Sequence, residues 1–116
     1  MRLRRTAALL VPAFALTLML GAAGPAQAGH DSMIKIHRLA FYPNTMTVAP
    51  GARVLVKNLD SKQGVPHSVT ADAGEDVFDT EPFLGQASFM APTTPGVYWF
   101  HCEVHEFMHG FLDVTG

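Results

Sequence analysis

Apolar and polar residues alternate along much of the chain beyond residue 30, in short runs that are separated by turn residues. In residues 33–38, Ile34 and Ile36 fall on one side of an extended chain and polar residues fall on the other. Residues 53–58 repeat this pattern. A period of two predicts β-strands that each bury one face.

Seven such strands are predicted, and no long helical period interrupts them. Turns such as Pro50-Gly51 join them, and two polar segments, 60–64 and the acidic 72–85, are expected to be solvated loops. We therefore predict an all-β fold, a Greek-key sandwich of seven to eight strands in two packed antiparallel sheets. The predicted strands are residues 33–38, 45–48, 53–58, 67–71, 87–91, 97–102 and 110–115.

The chain's single cysteine, Cys102, ends the most strongly β-forming of these runs. If its side chain points into the core, alternation places Phe100 and Tyr98 on the same side and Trp99 and His101 on the opposite side. The cysteine would then stand at the end of a rigid strand.

The first 28 residues differ in character from the rest. Three arginines lie among the first five residues, before an apolar run at 7–20 and an A-x-A ending at Ala28. This order predicts a cleavable secretory signal at 1–28 and a domain at 29–116. The apolar run is shorter than the ~20 residues of a spanning helix, so we expect no stable membrane insertion after cleavage and a periplasmic or secreted protein.

The net charge of the domain limits the kinds of partner that it is expected to bind. Three of the eight Lys and Arg residues lie in the first 28, whereas all ten Asp and Glu lie beyond them, which leaves five bases against ten acids, a net charge of −5. Nucleic acid is therefore not an expected partner.

One cysteine permits no internal disulfide, so another interaction must stabilise the domain or occupy the thiol.

Residues 102–108 contain three different candidate metal donors. Cys102, His105 and Met108 are separated by two residues in each gap, so that one tight loop can turn a thiolate, an imidazole and a thioether toward one point. A blue-copper site uses such donors together with a second histidine. Zinc fits less well, because methionine is not among its usual structural ligands. The alternative is a buried cysteine beside a surface histidine and a core methionine.

His67 is the best candidate for the second histidine. Of the six histidines, it stands at the start of a predicted strand, directly after Pro66, far upstream of the 102–108 loop. A surface histidine at a strand end is the alternative interpretation.

Together these stretches resemble the cupredoxins, the small blue-copper proteins, and most closely their amicyanin and plastocyanin branch. The short loop is similar to that of amicyanin. The resemblance implies one copper ion with His67, Cys102 and His105 as strong ligands and Met108 as the axial ligand. Ser68 stands where many members have an asparagine that ties this strand to the cysteine loop, so we expect a tie of shorter reach. The resemblance rests on Val48-Ala49-Pro50-Gly51, Val54, Asn58, Pro66-His67-Ser68-Val69, residues 95–102, His105, Met108 and Gly110.

The resemblance implies an electron carrier rather than an enzyme, because four ligands leave no obvious open position for a substrate. We expect a monomer that docks transiently with a redox donor and a redox acceptor protein. His101, beside Cys102, is a candidate for a second electron route. A copper-delivery or copper-resistance protein that uses the same site is the alternative. The candidate docking rim consists of Val65, Pro66, Val104, Glu106 and Phe107.

Overall fold

The computed structural model describes residues 32–116, and the predicted signal at 1–28 lies outside the described residues. The described part contains eight strands and one 3-10 helix. Their bounds are β1 (Ser32–His37), β2 (Ala40–Tyr42), β3 (Thr45–Val48), β4 (Arg53–Asn58), the 3-10 helix (Leu59–Gln63), β5 (Thr70–Ala71), β6 (Gln86–Met90), β7 (Gly96–His101) and β8 (His109–Val114).

The strands form two sheets of four, in the orders β2-β1-β4-β6 and β3-β8-β7-β5. The predicted all-β sandwich is confirmed, but the prediction of purely antiparallel sheets was wrong. Strand β1 pairs in parallel with β4, and β3 pairs in parallel with β8. The chain enters the second sheet as β3 between β2 and β4, so no hairpin turn constrains β4 to run opposite to its neighbour β1.

Three local features differ from the sequence prediction. Strand β2 was not predicted, because three residues are too few for an alternating pattern to show. The expected strand at 67–71 is reduced to β5, since the backbone of His67 pairs instead with Phe83 through hydrogen bonds of 3.3 and 2.9 Å. The polar segment 60–64 lies largely within the 3-10 helix, where the Asn58 side chain caps the N-terminus by accepting from Asp60 N–H.

The core lies between the two sheets. Ile34 and Ile36 from β1 are fully buried, as their alternation predicts, and so is Phe100 from β7. The Phe100 ring lies 5.1 Å from that of Phe41 and 6.5 Å from that of Phe78, centre to centre. Phe78 belongs to the acidic segment, which is therefore anchored in the core rather than simply solvated.

Strand β7 presents its side chains as predicted. Tyr98 packs against the core beside the buried Phe100, while Trp99 is 55% exposed on the outer face. Gly110 on the neighbouring β8 leaves the space that the Phe100 ring fills, because a Cβ at this position would overlap the ring. Among residues 32–116, no helix has the length and apolarity to span a membrane.

Candidate metal centre

Cys102 directly follows β7 and is fully buried. The loop that follows it, residues 102–108, folds back on itself through two backbone hydrogen bonds. Cys102 N–H donates to the carbonyl of Met108 at 3.1 Å, and Met108 N–H donates to the carbonyl of His105 at 3.0 Å. The Met108 side chain is 2% exposed and belongs to the same buried cluster as Cys102. The loop therefore turns back on itself, and the residues at its two ends, Cys102 and Met108, are both buried.

His67 lies three residues before the edge strand β5 and is fully buried, so it is not a surface histidine. Its Nδ1 lies 3.7 Å from the Cys102 Sγ, and the Nδ1 of His105 lies 3.8 Å from the same sulfur. The donor atoms of all three residues lie within 4.8 Å of one another. Among the described residues this is the one such group of three candidate metal donors found.

These separations fit an ion held between the donors. Bonds of about 2.1 Å to nitrogen and about 2.3 Å to sulfur, opened to a tetrahedral angle, place the nitrogen and the sulfur about 3.6 Å apart. The measured 3.7 and 3.8 Å are close to that value. A thiolate with imidazoles suits copper in both of its common oxidation states.

Ser68 ties the strand of His67 to the cysteine loop. Its backbone N–H donates to the Cys102 Sγ at 3.4 Å, and its hydroxyl oxygen accepts from Glu103 N–H at 2.9 Å. The hydroxyl also shares a hydrogen bond of 2.9 Å with Thr70, which in turn donates to Asp79. We expected the short Ser68 side chain to reach less far than an asparagine. It nevertheless joins the two segments, because their backbones approach each other closely here.

Asp60, to which no role was assigned from the sequence, contacts His67 directly. The Asp60 Oδ2 lies 2.8 Å from the His67 Nε2, and its carboxylate also accepts from the backbone N–H groups of Arg38 and Leu39. Burial alone would raise the pKa of Asp60, but the hydrogen bonds from Leu39, His67 and Arg38 outweigh burial and lower the pKa. The only signal in the sequence is an acid seven residues before a candidate ligand.

His101 lies on the side of β7 opposite the core, as alternation predicted, and it reaches the acidic segment. Its Nδ1 hydrogen-bonds to Asp72, and its Nε2 lies 3.4 Å from a Glu103 oxygen. Burial alone would lower the pKa of His101, but the hydrogen bonds with Asp72 and Glu103 raise it above its usual value. A role for His101 as a second electron route stays a prediction.

The predicted rim residues lie in the segments that flank the donors. Val104 and Phe107 are 42% and 66% exposed, and the Phe107 ring lies 6.0 Å from the ring of His105, centre to centre. Val65 and Pro66, just before His67, are half-buried, and Glu106 is exposed. An apolar surface with one acid therefore adjoins the half-buried His105.

A two-sheet sandwich that holds a thiolate and two imidazoles at one end defines the cupredoxin class of metalloprotein. The model of the cupredoxin-like domain family matches residues 9–114, so this chain belongs to that family.

The similar proteins lie on the predicted branch of the family. The chloroplastic plastocyanin major isoform of Arabidopsis thaliana is 32% identical over an alignment of 111 positions, and the match covers 80% of this chain and 65% of that protein. This chain thus spans slightly less than two thirds of that relative. Amicyanin from Paracoccus versutus superposes with a TM-score of 0.62 at 22% identity, over 75% of this chain and 83% of amicyanin.

A copper-containing nitrite reductase from Thermus scotoductus shares the fold with a TM-score of 0.61 at 23% identity. The match covers 75% of this chain but only 23% of that enzyme, so the likeness concerns one domain. The resemblance to the amicyanin and plastocyanin branch is confirmed. The family and the donor set together confirm a single copper ion as the cofactor.

Proposed function

We propose that this protein carries single electrons between redox partner proteins in the periplasm or outside the cell, with copper held by His67, Cys102 and His105 and with Met108 as the axial ligand. The observation that supports this most strongly is the convergence of two histidine Nδ1 atoms on one buried sulfur, at 3.7 and 3.8 Å. When bound there, copper supplies a reversible one-electron step between Cu(I) and Cu(II).

The protein's part in electron transfer is to hold the donors in one arrangement. Cys102 and His67 are fully buried, so water is excluded from their side of the site. The Ser68 N–H donates to the sulfur, which favours the thiolate that copper requires. The two backbone hydrogen bonds of the 102–108 loop fix the remaining donors. A site restrained in this way needs little rearrangement when an electron enters or leaves.

We assign the docking of partners to the rim around His105. Val104 and Phe107 are exposed apolar side chains next to a candidate ligand, and transient redox complexes use small interfaces of this kind. Phe107→Ser should slow electron exchange with a redox partner and leave the absorption spectrum unchanged. Trp99→Ser is the matched control, because Trp99 is a similarly exposed aromatic residue on the outer face of β7. Equal rates for the two variants would exclude the rim as the docking surface.

The copper assignment is tested on the purified protein. Addition of Cu(II) should give an intense blue absorption and reversible one-electron electrochemistry. Cys102→Ser and His105→Ala should each abolish the blue band, whereas His109→Ala, at an exposed histidine on β8, should retain it. A blue band that persists in Cys102→Ser would refute the ligand assignment.

The same experiment distinguishes electron transfer from the alternative function. A colourless complex that readily releases copper would favour a copper-delivery or copper-resistance protein. The burial of Cys102 and His67 argues against release, because a delivery site must be reached by the protein that takes the metal. An enzyme of the nitrite reductase type would need further metal-binding groups, and one three-donor group is found within residues 32–116.

A further inference from the structure

The second ring nitrogen of His67, the one that does not face Cys102, is held by a buried carboxylate. Asp60 is 7% exposed, and its Oδ2 lies 2.8 Å from the His67 Nε2. Two more contacts surround the same carboxylate: Arg38 N–H donates to Oδ1 at 2.8 Å and Leu39 N–H donates to Oδ2 at 3.0 Å. The carboxylate therefore stands between the β1–β2 turn and the candidate ligand.

The hydrogen-bond partners of the Asp60 carboxylate determine which nitrogen of His67 carries the ring proton. Both backbone partners can only donate, and an ionised carboxylate can only accept. The His67 Nε2 must then donate as well, so it carries the ring proton. The neutral ring has one proton, and its Nδ1 therefore presents a lone pair toward the Cys102 sulfur 3.7 Å away.

The position of Asp60 is fixed independently of the histidine. Its backbone N–H donates to the Asn58 side chain at 3.0 Å, and its carbonyl accepts from Val65 N–H at 3.2 Å. Its side chain satisfies the N–H groups of Arg38 and Leu39, which have positive φ angles of 50° and 60° in the tight turn. The carboxylate is thus held in place from two sides before any metal binds.

We propose that Asp60 is a positioning residue that fixes His67 as an Nδ1 metal donor and, through its negative charge, stabilises Cu(II) relative to Cu(I). This inference rests on the proposed copper site and deepens it. A carboxylate that accepts from the remote nitrogen of a ligand histidine orients the ring and raises its basicity, and loss of such a partner costs about 10–100-fold in metal affinity.

The first test uses the metal-free wild-type protein and needs no copper chemistry. Long-range proton–nitrogen NMR correlations of the imidazole rings distinguish the two neutral tautomers. His67 is expected to appear with the proton on Nε2. A neutral His67 ring with its proton on Nδ1 would overturn the proposal whether or not the protein binds copper, so this outcome is distinct from failure of the proposed function.

The second test is Asp60→Asn, which keeps the size of the side chain but has only one acceptor oxygen. At least one of the three donors then faces the amide N–H₂ group, which cannot accept a hydrogen bond. As a result, either His67 Nε2 or one of the N–H groups of Arg38 and Leu39 loses its acceptor. Affinity for Cu(II) should fall about 10–100-fold, with a smaller loss for Cu(I). The reduction potential should rise accordingly, by 59 mV for each tenfold change in the ratio of the two affinities.

Asp113→Asn is the matched control, because it removes the same charge from β8. It should change the ratio of the Cu(II) and Cu(I) affinities much less than Asp60→Asn does. Equal changes in the two variants would show a general effect of net charge and would overturn the positioning role. If Asp60→Asn does not fold, as judged by near-ultraviolet circular dichroism, the tautomer measurement on the wild-type protein still decides the question.

Discussion

Asn58 is the residue whose loss should most clearly disturb the fold around the candidate copper site. It ends β4, is 4% exposed, and makes three hydrogen bonds with its side chain. Its amide donates to the carbonyls of Val65 and Phe83 at 2.9 and 3.1 Å, and its oxygen accepts from Asp60 N–H at 3.0 Å. Val65 lies two residues before His67, and the Phe83 backbone pairs with that of His67. Asn58→Ala therefore removes the support of the segment that carries the ligand.

The size of the effect follows from those three bonds. Each contributes about 1 kcal/mol net, and a buried partner left without a hydrogen bond costs about 1–3 kcal/mol. Entry of water offsets part of this cost, because Val65 and Phe83 are only partly buried. We expect the free energy of unfolding to fall by about 3 kcal/mol, which for a domain of this size lowers Tm by roughly 12–24 °C.

Urea unfolding of the metal-free protein measures this change, followed by circular dichroism. Asn44→Ala is the control, since Asn44 is an exposed asparagine between β2 and β3, and its effect should stay within about 0.5 kcal/mol. Asn58→Asp keeps the acceptor but sets a carboxylate against two carbonyl oxygens, so it should destabilise at least as much as alanine. If Asn58→Ala were as stable as Asn44→Ala, the three hydrogen bonds would not support the site.

Two further outcomes follow from the structure. Gly110→Ala should lower the free energy of unfolding by about 1–3 kcal/mol, because the added Cβ would overlap the Phe100 ring and the Asn44 carbonyl. Urea unfolding measures this change, with Ser88→Ala, at an exposed strand position, as the control. Equal stability of the two variants would contradict the prediction. In the metal-free protein, the pKa of His101 should lie above the usual value of about 6.5, as measured by NMR titration, and Asp72→Asn should lower it. Because the folded-state pKa is the higher one, the contribution of His101 to stability is fully present below about pH 6.5 and is lost as the pH rises through the folded-state pKa; a pKa at or below 6.5 would contradict this.

Local patterns in the sequence were sufficient for most of the strands and for three residues whose donor atoms the structure brings together. A strand that buries one face must alternate, so Ile34, Ile36 and Phe100 were placed correctly from spacing alone. The donors were recognisable because Cys102 and His105 share one short loop and His67 begins an upstream run. The direction of β4 relative to β1 could not be read in this way, because it depends on the passage of the chain through the second sheet.

Asp60 shows why part of the site could not be predicted. Its contact with His67 arises from a capped 3-10 helix that turns the chain between the two residues, and its contacts with Arg38 and Leu39 span more than 20 positions. No residue spacing encodes such a meeting. In the sequence Asp60 is simply one polar residue in a polar segment, and only its three donor partners reveal its place beside the candidate metal centre.

The position of β8 has a consequence for the order of events during synthesis. This strand begins at His109, directly after the candidate donor Met108, and lies between β3 and β7 in the second sheet. The sheet that positions Cys102 is therefore incomplete until residues 109–114 have been synthesised and have paired with β3 and β7. All four candidate donors precede this strand in the chain, so a growing chain contains the donors before it contains the complete sheet that holds them in place.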